Sequence, residues 1–161
     1  MIEIKNLNAY YDDFHVLKDI SMTIEQGQVV VMLGPNGHGK STFLKSICGL
    51  VRKTRGLINY NGQNITGMSA EKLVNMGITY IAENRELFPE MTVLENLKLG
   101  AYSKNARTRS RQNLEWVFSL FPRLRERTFQ LASTMSGGEA RKLAIARGLM
   151  SNAKFLAIDE P

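Results

Sequence analysis

The sequence predicts an α/β fold with a parallel core sheet, and three observations predict it. Two unbroken apolar runs, Val29 to Leu33 and Phe155 to Ile158, are too short for helices and suit parallel strands covered on both faces. The first run leads into a glycine-rich stretch and then a helical pattern, while the second ends in Asp159 and Glu160. Strands that carry polar groups at their carboxyl ends are how open α/β sheets build sites. At 161 residues, with 43% hydrophobic and 22% charged side chains, the chain has the size and balance of one soluble globular domain.

The opening alternates. Ile2 and Ile4 share a face, as do Ile20, Met22 and Ile24, which is the period of half-buried antiparallel strands. Residues 41–49 look helical, with Phe43, Leu44, Ile47 and Cys48 on the buried side. Leu57 to Tyr60 is a predicted strand ending in the turn Asn61-Gly62, Ala70 to Asn75 a short helix, and Ile78 to Ile81 a strand. From about Glu83 the texture changes to a helical insertion: Met91 to Tyr102, then Gln112 to Phe121, which buries Leu114, Val117, Phe118 and Phe121 and is stopped by Pro122. A further helix is predicted from Gly138 to Met150, followed by the strand Phe155 to Ile158. There is no internal repeat and no low-complexity segment.

Composition excludes several classes. The longest apolar run has five residues, far short of a membrane-spanning helix, and the start MIEIKNL lacks the pattern of a secretory signal, so the chain is expected to be cytosolic. One cysteine, Cys48, makes no internal disulfide. The charge of +6 concentrates only at Lys104, Arg107, Arg109 and Arg111, a solvated loop and helix start, with a phosphate-backbone or anionic-lipid contact as the alternative.

Gly34 to Ser41 fills every fixed position of G-x-x-x-x-G-K-[ST] between a predicted strand and a predicted helix, the context that identifies a Walker A loop. Its glycines let successive N–H groups face phosphate oxygens, and the helix adds its positive end. The expected nucleotide-binding stretch is Gly34, Pro35, Asn36, Gly37, His38, Gly39, Lys40, Ser41 and Thr42. Lys40 is expected to reach the β- and γ-phosphates, and Ser41 to offer its hydroxyl to Mg2+. His38 occupies a variable position, and its side chain is a spectator rather than a catalyst. Asp159 and Glu160 after FLAI form a Walker B arrangement. Asp159 is expected to hold the Mg2+, and Glu160 to orient and polarise the attacking water.

Met135 to Glu139 reads MSGGE immediately before a helix, between the two Walker motifs. Together these resemble the ATP-binding cassette (ABC) ATPases, a P-loop NTPase type with an N-terminal antiparallel β subdomain, a parallel core sheet and a helical insertion, and the resemblance covers essentially the whole chain. It implies a partial ABC ATPase domain over 1–161: a β subdomain and Walker A core at 1–82, a helical subdomain at 83–135, and the signature helix with the Walker B strand at 136–161. By the same resemblance Ser136, Gly137, Gly138 and Glu139 close over the γ-phosphate held by a second subunit, although an SGGE turn taken alone is a helix N-cap. Tyr11 falls where the family stacks an aromatic ring on adenine, with Val16 nearby; Tyr10 is adjacent and open to the same role. Glu83 falls where most members have a glutamine that touches Mg2+ and the attacking water.

The stretch IAENRELFPEMTVLENLKLGAY is similar to ATPase subunits of branched-chain amino acid importers and their relatives for urea and other amides. That implies ATP and Mg2+ as cofactors, and as partners a second ABC ATPase subunit, integral membrane permease subunits and, indirectly, a solute-binding protein, with no nucleic acid. The place is the cytoplasmic face of the cell membrane, as a peripheral subunit, and an exposed apolar groove is expected in the helical insertion. ABC ATPases continue past Walker B to a D-loop and a switch histidine, neither of which is here; His15 and His38 lie far upstream. The chain is therefore expected to be the N-terminal part of a longer cassette that, purified alone, aggregates or hydrolyses negligible ATP. Two other readings compete: a soluble ABC ATPase acting on ribosomes or DNA, and a P-loop nucleoside kinase, which leaves MSGGE unexplained.

Overall fold

The structure, a computed structural model, describes residues 1–84 and 86–160. The chain divides into two units, Met1–Leu73 and Val74–Pro161, each described by itself.

In the first unit the alternating apolar residues form antiparallel strands. β1 (Ile2–Tyr11) and β2 (Phe14–Ile24) make a hairpin that sets Ile2 opposite Ile24, Ile4 opposite Met22 and Leu7 opposite Ile20. β1 also pairs with β3 (Lys53–Tyr60), which turns through Asn61-Gly62 into the two-residue β4 (Gln63–Asn64), giving the order β2-β1-β3-β4. Asn61 and Gly62 both have positive φ, 50° and 82°, as a two-residue hairpin turn requires. α1 (Lys40–Ile47) packs on this sheet and buries Phe43, Ile47 and, just past its end, Cys48, whose thiol burial pushes up to about 12. α2 (Ala70–Asn75) has the predicted bounds.

The run Val29 to Leu33 departs from expectation. It forms no strand: Val29 and Leu33 are 91% exposed and Val31 is 73% exposed. Apolar side chains favour burial, but a strand also needs a neighbour to receive its backbone hydrogen bonds, and none pairs with this run among the described residues.

In the second unit β5 (Ile78–Ile81) and β6 (Phe155–Ile158) pair in parallel, from Ile78 opposite Phe155 to Ile81 opposite Ile158. β6 is a strand as predicted, but only Ala157 in it is fully buried, so it is not covered on both faces. Five helices follow β5 in the chain: α3 (Val93–Gly100), α4 (Lys104–Arg107), α5 (Ser110–Leu120), α6 (Pro122–Glu126) and α7 (Gly137–Leu149). Val93, Leu97, Val117, Leu124, Leu143 and Met150 form their common core. α3 meets α7 so closely that a Cβ on Gly100 would stand 2.0 Å from the Arg147 carbonyl oxygen, and one on Gly148 would stand 2.5 Å from Ile81 Cδ1.

Capping sets α3 shorter than expected. Thr92 and Glu95 form a reciprocal box, and the fully buried Asn96 amide donates to the carbonyls of Phe88, Met91 and Thr92 while accepting from Phe88 N–H. The segment FPEMT is thereby fastened onto the helix as a loop. Pro122 ends α5 and also opens α6 at its first turn, where a missing N–H costs no helical bond. Of the basic patch, Lys104 and Arg107 lie on α4, Arg109 precedes α5 and Arg111 lies in its first turn.

Candidate functional site

Two groups of predicted residues are assembled, one in each unit. In the first unit the glycine-rich loop leads into α1. Gly39 is the N-cap at φ 87°, a left-handed conformation that glycine adopts without Cβ strain, and a Cβ there would also press on Leu17 Cδ2 at 2.9 Å and Val16 Cγ1 at 3.4 Å. Val16 therefore lies against the end of the loop at Gly39. The first hydrogen bond of the helix runs from Phe43 N–H to Gly39 O at 2.8 Å. The N–H groups ahead of it have no acceptor within the helix, and no acidic residue sits in that first turn, so the helix end faces the loop with its positive pole.

Lys40 arches back over its own loop, its ammonium donating to Gly34 O at 2.8 Å and Pro35 O at 2.9 Å and lying 3.5 Å from Asn36 Oδ1. Its charge is thus held where the loop backbone curls. His38 is exposed with Nδ1 3.2 Å from Asn36 O, turned onto the loop. Thr42 is buried, and its carbonyl accepts from Ser46 Oγ. Tyr10 stacks on His15 at 4.3 Å, with Lys53 and Arg55 5.3 and 5.8 Å from its ring, whereas Tyr11, opposite Phe14, is 46% exposed. Of the two tyrosines, Tyr11 is the more exposed.

In the second unit the carboxylates gather beyond the parallel strands. Asp159 N–H donates to Ile81 O, the last rung of the ladder, and the Asp159 side chain is 3% exposed with Oδ2 accepting from Tyr80 Oη at 2.7 Å. Glu83 and Glu160 are exposed, the latter at φ 46°. The Arg141 guanidinium on α7 donates to the carbonyls of Ala82 and Glu83 and to those of Asp159 and Glu160. Glu83 and the Walker B pair are therefore drawn together. Arg85, beside Glu83 in the quoted stretch, lies outside the described residues.

Ser136 caps α7 in a reciprocal box. Its hydroxyl accepts from Glu139 N–H and donates to Glu139 Oε2, which also accepts from Ser136 N–H, while Arg127 pairs with Glu139 at 2.8 Å. Hydrogen bonds from Ser136 backbone and hydroxyl, with the charge of Arg127 a smaller contribution, hold the Glu139 carboxyl below its ordinary value. Gly137 and Gly138 open the helix, so two N–H groups stand at its positive end.

Beside α3, β5 and α7 lies an open cleft of about 490 Å3, lined by Phe88, Leu99, Tyr102, Glu86 and Arg147 among others. Phe88, Leu99 and Tyr102, from the helical insertion, are 48%, 38% and 75% exposed, while β5 and α7 supply much of the remaining lining. Arg147 reaches into it, donating to Glu86 O and standing 5.7 Å over the Phe88 ring. Burial lowers its pKa, and Glu86 opposes that.

The side chains that could serve Mg2+ offer only oxygen, the hydroxyl of Ser41 and the carboxylates of Asp159 and Glu83, as a hard cation requires. Among the described residues no cluster of three His, Cys, Asp or Glu could hold a metal ion. No helix of the described residues is long and apolar enough to cross a membrane. Sequence reasoning missed Tyr80 and Arg141. A tyrosine inside a strand and one basic residue in ARKLAIAR carry no local signature of what they hold.

Residues 17–161 match the protein family described as ABC transporter. Along its whole length the chain is 38% identical to the high-affinity branched-chain amino acid transport ATP-binding protein BraG of Pseudomonas aeruginosa and 37% identical to the probable branched-chain amino acid transport ATP-binding protein LivF of Archaeoglobus fulgidus, spanning 69% and 68% of their lengths. It is also 35% identical to the glutamine transport ATP-binding protein GlnQ of Bacillus subtilis, covering 67% of that protein. Among solved structures, a nucleotide-free ATP-binding cassette from an ABC transporter superposes with a TM-score of 0.83 at 26% identity, over 99% of this chain and 68% of that one. A dimeric ATP-binding cassette in a post-hydrolysis state, bound to ADP and Pi, gives 0.79 at 27% identity, over 100% and 74%.

Proposed function

This chain belongs to the ABC transporter family and carries its ATP-hydrolysing domain, and on that premise we propose that it powers an importer of branched-chain amino acids or related amides. The observation that supports transport over a soluble role is the apolar cleft beside α3 and α7, a surface suited to a helix of a membrane permease subunit. The identity to BraG and LivF supports the solute class.

In this reading the Gly34–Ser41 loop and Lys40 bind the triphosphate, and Tyr11 with Val16 receives the adenine. Ser41, Asp159 and Glu83, the last where the family has an amide, are the residues that would hold Mg2+, and the ion would supply charge neutralisation on the phosphates. Glu160 accepts a proton from the attacking water and aims it in line at the γ-phosphate. The capped turn at Ser136 offers the N–H groups of Gly137 and Gly138 to the nucleotide of a second subunit, as the dimeric cassette bound to ADP and Pi encourages. The protein then sits at the cytoplasmic face of the membrane, held by its permease partners and served by a solute-binding protein.

Two measurements test this. The intact protein should co-purify with polytopic membrane subunits, whereas nuclease-sensitive co-purification with ribosomes would transfer the assignment to the soluble class. Glu160→Gln should lower Mg-ATP hydrolysis by about 100-fold or more while leaving ATP binding in place.

A further inference from the structure

Arg141 has no part in the roles assigned above, yet its guanidinium joins both of the strand ends that carry the carboxylates. One Nη donates to Ala82 O at 2.8 Å and Glu83 O at 3.1 Å; the other donates to Asp159 O at 2.6 Å and to Glu160 O. These carbonyls lie just beyond β5 and β6, where the ladder has ended with the Asp159 bond to Ile81 and the strands no longer serve each other. A planar guanidinium presents N–H groups on both edges in a fixed fork and so holds two chain ends in a set geometry, whereas an ammonium offers its three donors from a single point.

A second, independent feature marks the same place. Glu160 is a non-glycine residue at φ 46°, in the left-handed region that L side chains occupy uncommonly. Its carbonyl is one of the four that Arg141 grips. Arg141 in turn rides on α7, whose N-cap is Ser136, about 7.5 Å up the helix axis at the usual rise per residue. One rigid helix therefore carries the signature turn at its head and the grip on Glu83, Asp159 and Glu160 one turn later.

We propose that Arg141 is a positioning residue: it ties the signature helix to the ends of β5 and β6 and so fixes the Glu83 and Glu160 backbones for hydrolysis. This rests on the assignment of Glu160 as the residue that activates water. The four acceptors of Arg141 are backbone carbonyls of the strand ends, not the side chains assigned to phosphate and Mg2+, so the grip is expected to act on turnover more than on nucleotide affinity.

The test uses the intact protein in its assembled form, with Arg141→Gln and Arg141→Lys. Gln keeps one planar NH2 group and loses the charge; Lys keeps the charge and loses the fork. Both should lower kcat for Mg-ATP by about tenfold or more, with KM and the Kd for Mg-ADP within about twofold and an unchanged thermal melt. Arg141→Lys with full wild-type kcat would overturn the proposal, because charge alone would then suffice. So would losses of kcat that track a falling melting temperature in both variants, or a rise in KM with kcat intact. A wild-type protein that binds Mg-ATP without hydrolysing it would sink the parent assignment of Glu160 first, and this inference with it.

Discussion

The runs Val29 to Leu33 and Phe155 to Ile158 carry the same pattern, an unbroken apolar segment ahead of residues that handle phosphate or metal, yet only the second is a strand. Phe155 to Ile158 lies in register with Ile78 to Ile81 and receives α7 against that sheet. Val29 to Leu33 has no such neighbour among the described residues and leaves three of its side chains more than 70% exposed. Hydropathy tells which side chains favour burial, but a strand is completed by a second backbone, and that requirement is written elsewhere in the chain.

The largest test of this contrast puts a charge into each run. Ala157→Asp buries an uncompensated carboxylate and should destabilise by about 3–5 kcal/mol in urea unfolding, enough to abolish folding. Leu143→Ala, which opens a cavity in the core of α7, should cost about 2–5 kcal/mol. Gly148→Ala probes how α7 reaches β5: the added methyl meets Ile81 and should cost about 1–3 kcal/mol, despite alanine being the better helix former.

Ser136→Ala removes the cap of α7 and should cost about 1 kcal/mol near neutral pH. Because the Glu139 carboxyl is held below its ordinary value, its contribution is present above about pH 4.5 and is lost as pH falls through its folded value; the variant's deficit should therefore shrink in acid. The smallest effect is expected from Val31→Asp, within about 0.5 kcal/mol by the same unfolding measurement. A large loss there would mean that the first run is buried after all, and the contrast between the two runs would dissolve.

What could be seen in the sequence divides along the same line. The hairpin strands, the Asn61-Gly62 turn, α2, β5 and β6 were legible because each is specified by its own residues: alternation, turn chemistry, or a short apolar run. The Walker loop was legible because its glycines answer a local backbone demand, met at Gly39. Tyr80 on Asp159 and Arg141 on four carbonyls were not, since each joins positions dozens of residues apart or on separate elements. The MTV-x-ENL stretch was recognisable as a pattern, but its reason, Asn96 pinning the preceding loop to α3, emerges only in three dimensions.

The thiol of Cys48, sequestered behind α1 with its ionisation displaced far into the alkaline range, is a poor nucleophile at physiological pH. As the sole sulfhydryl in these 161 residues it leaves a chemically silent background, so a cysteine placed at an exposed position such as Val31 or Tyr102 can be alkylated or spin-labelled by itself, without first engineering the native one away.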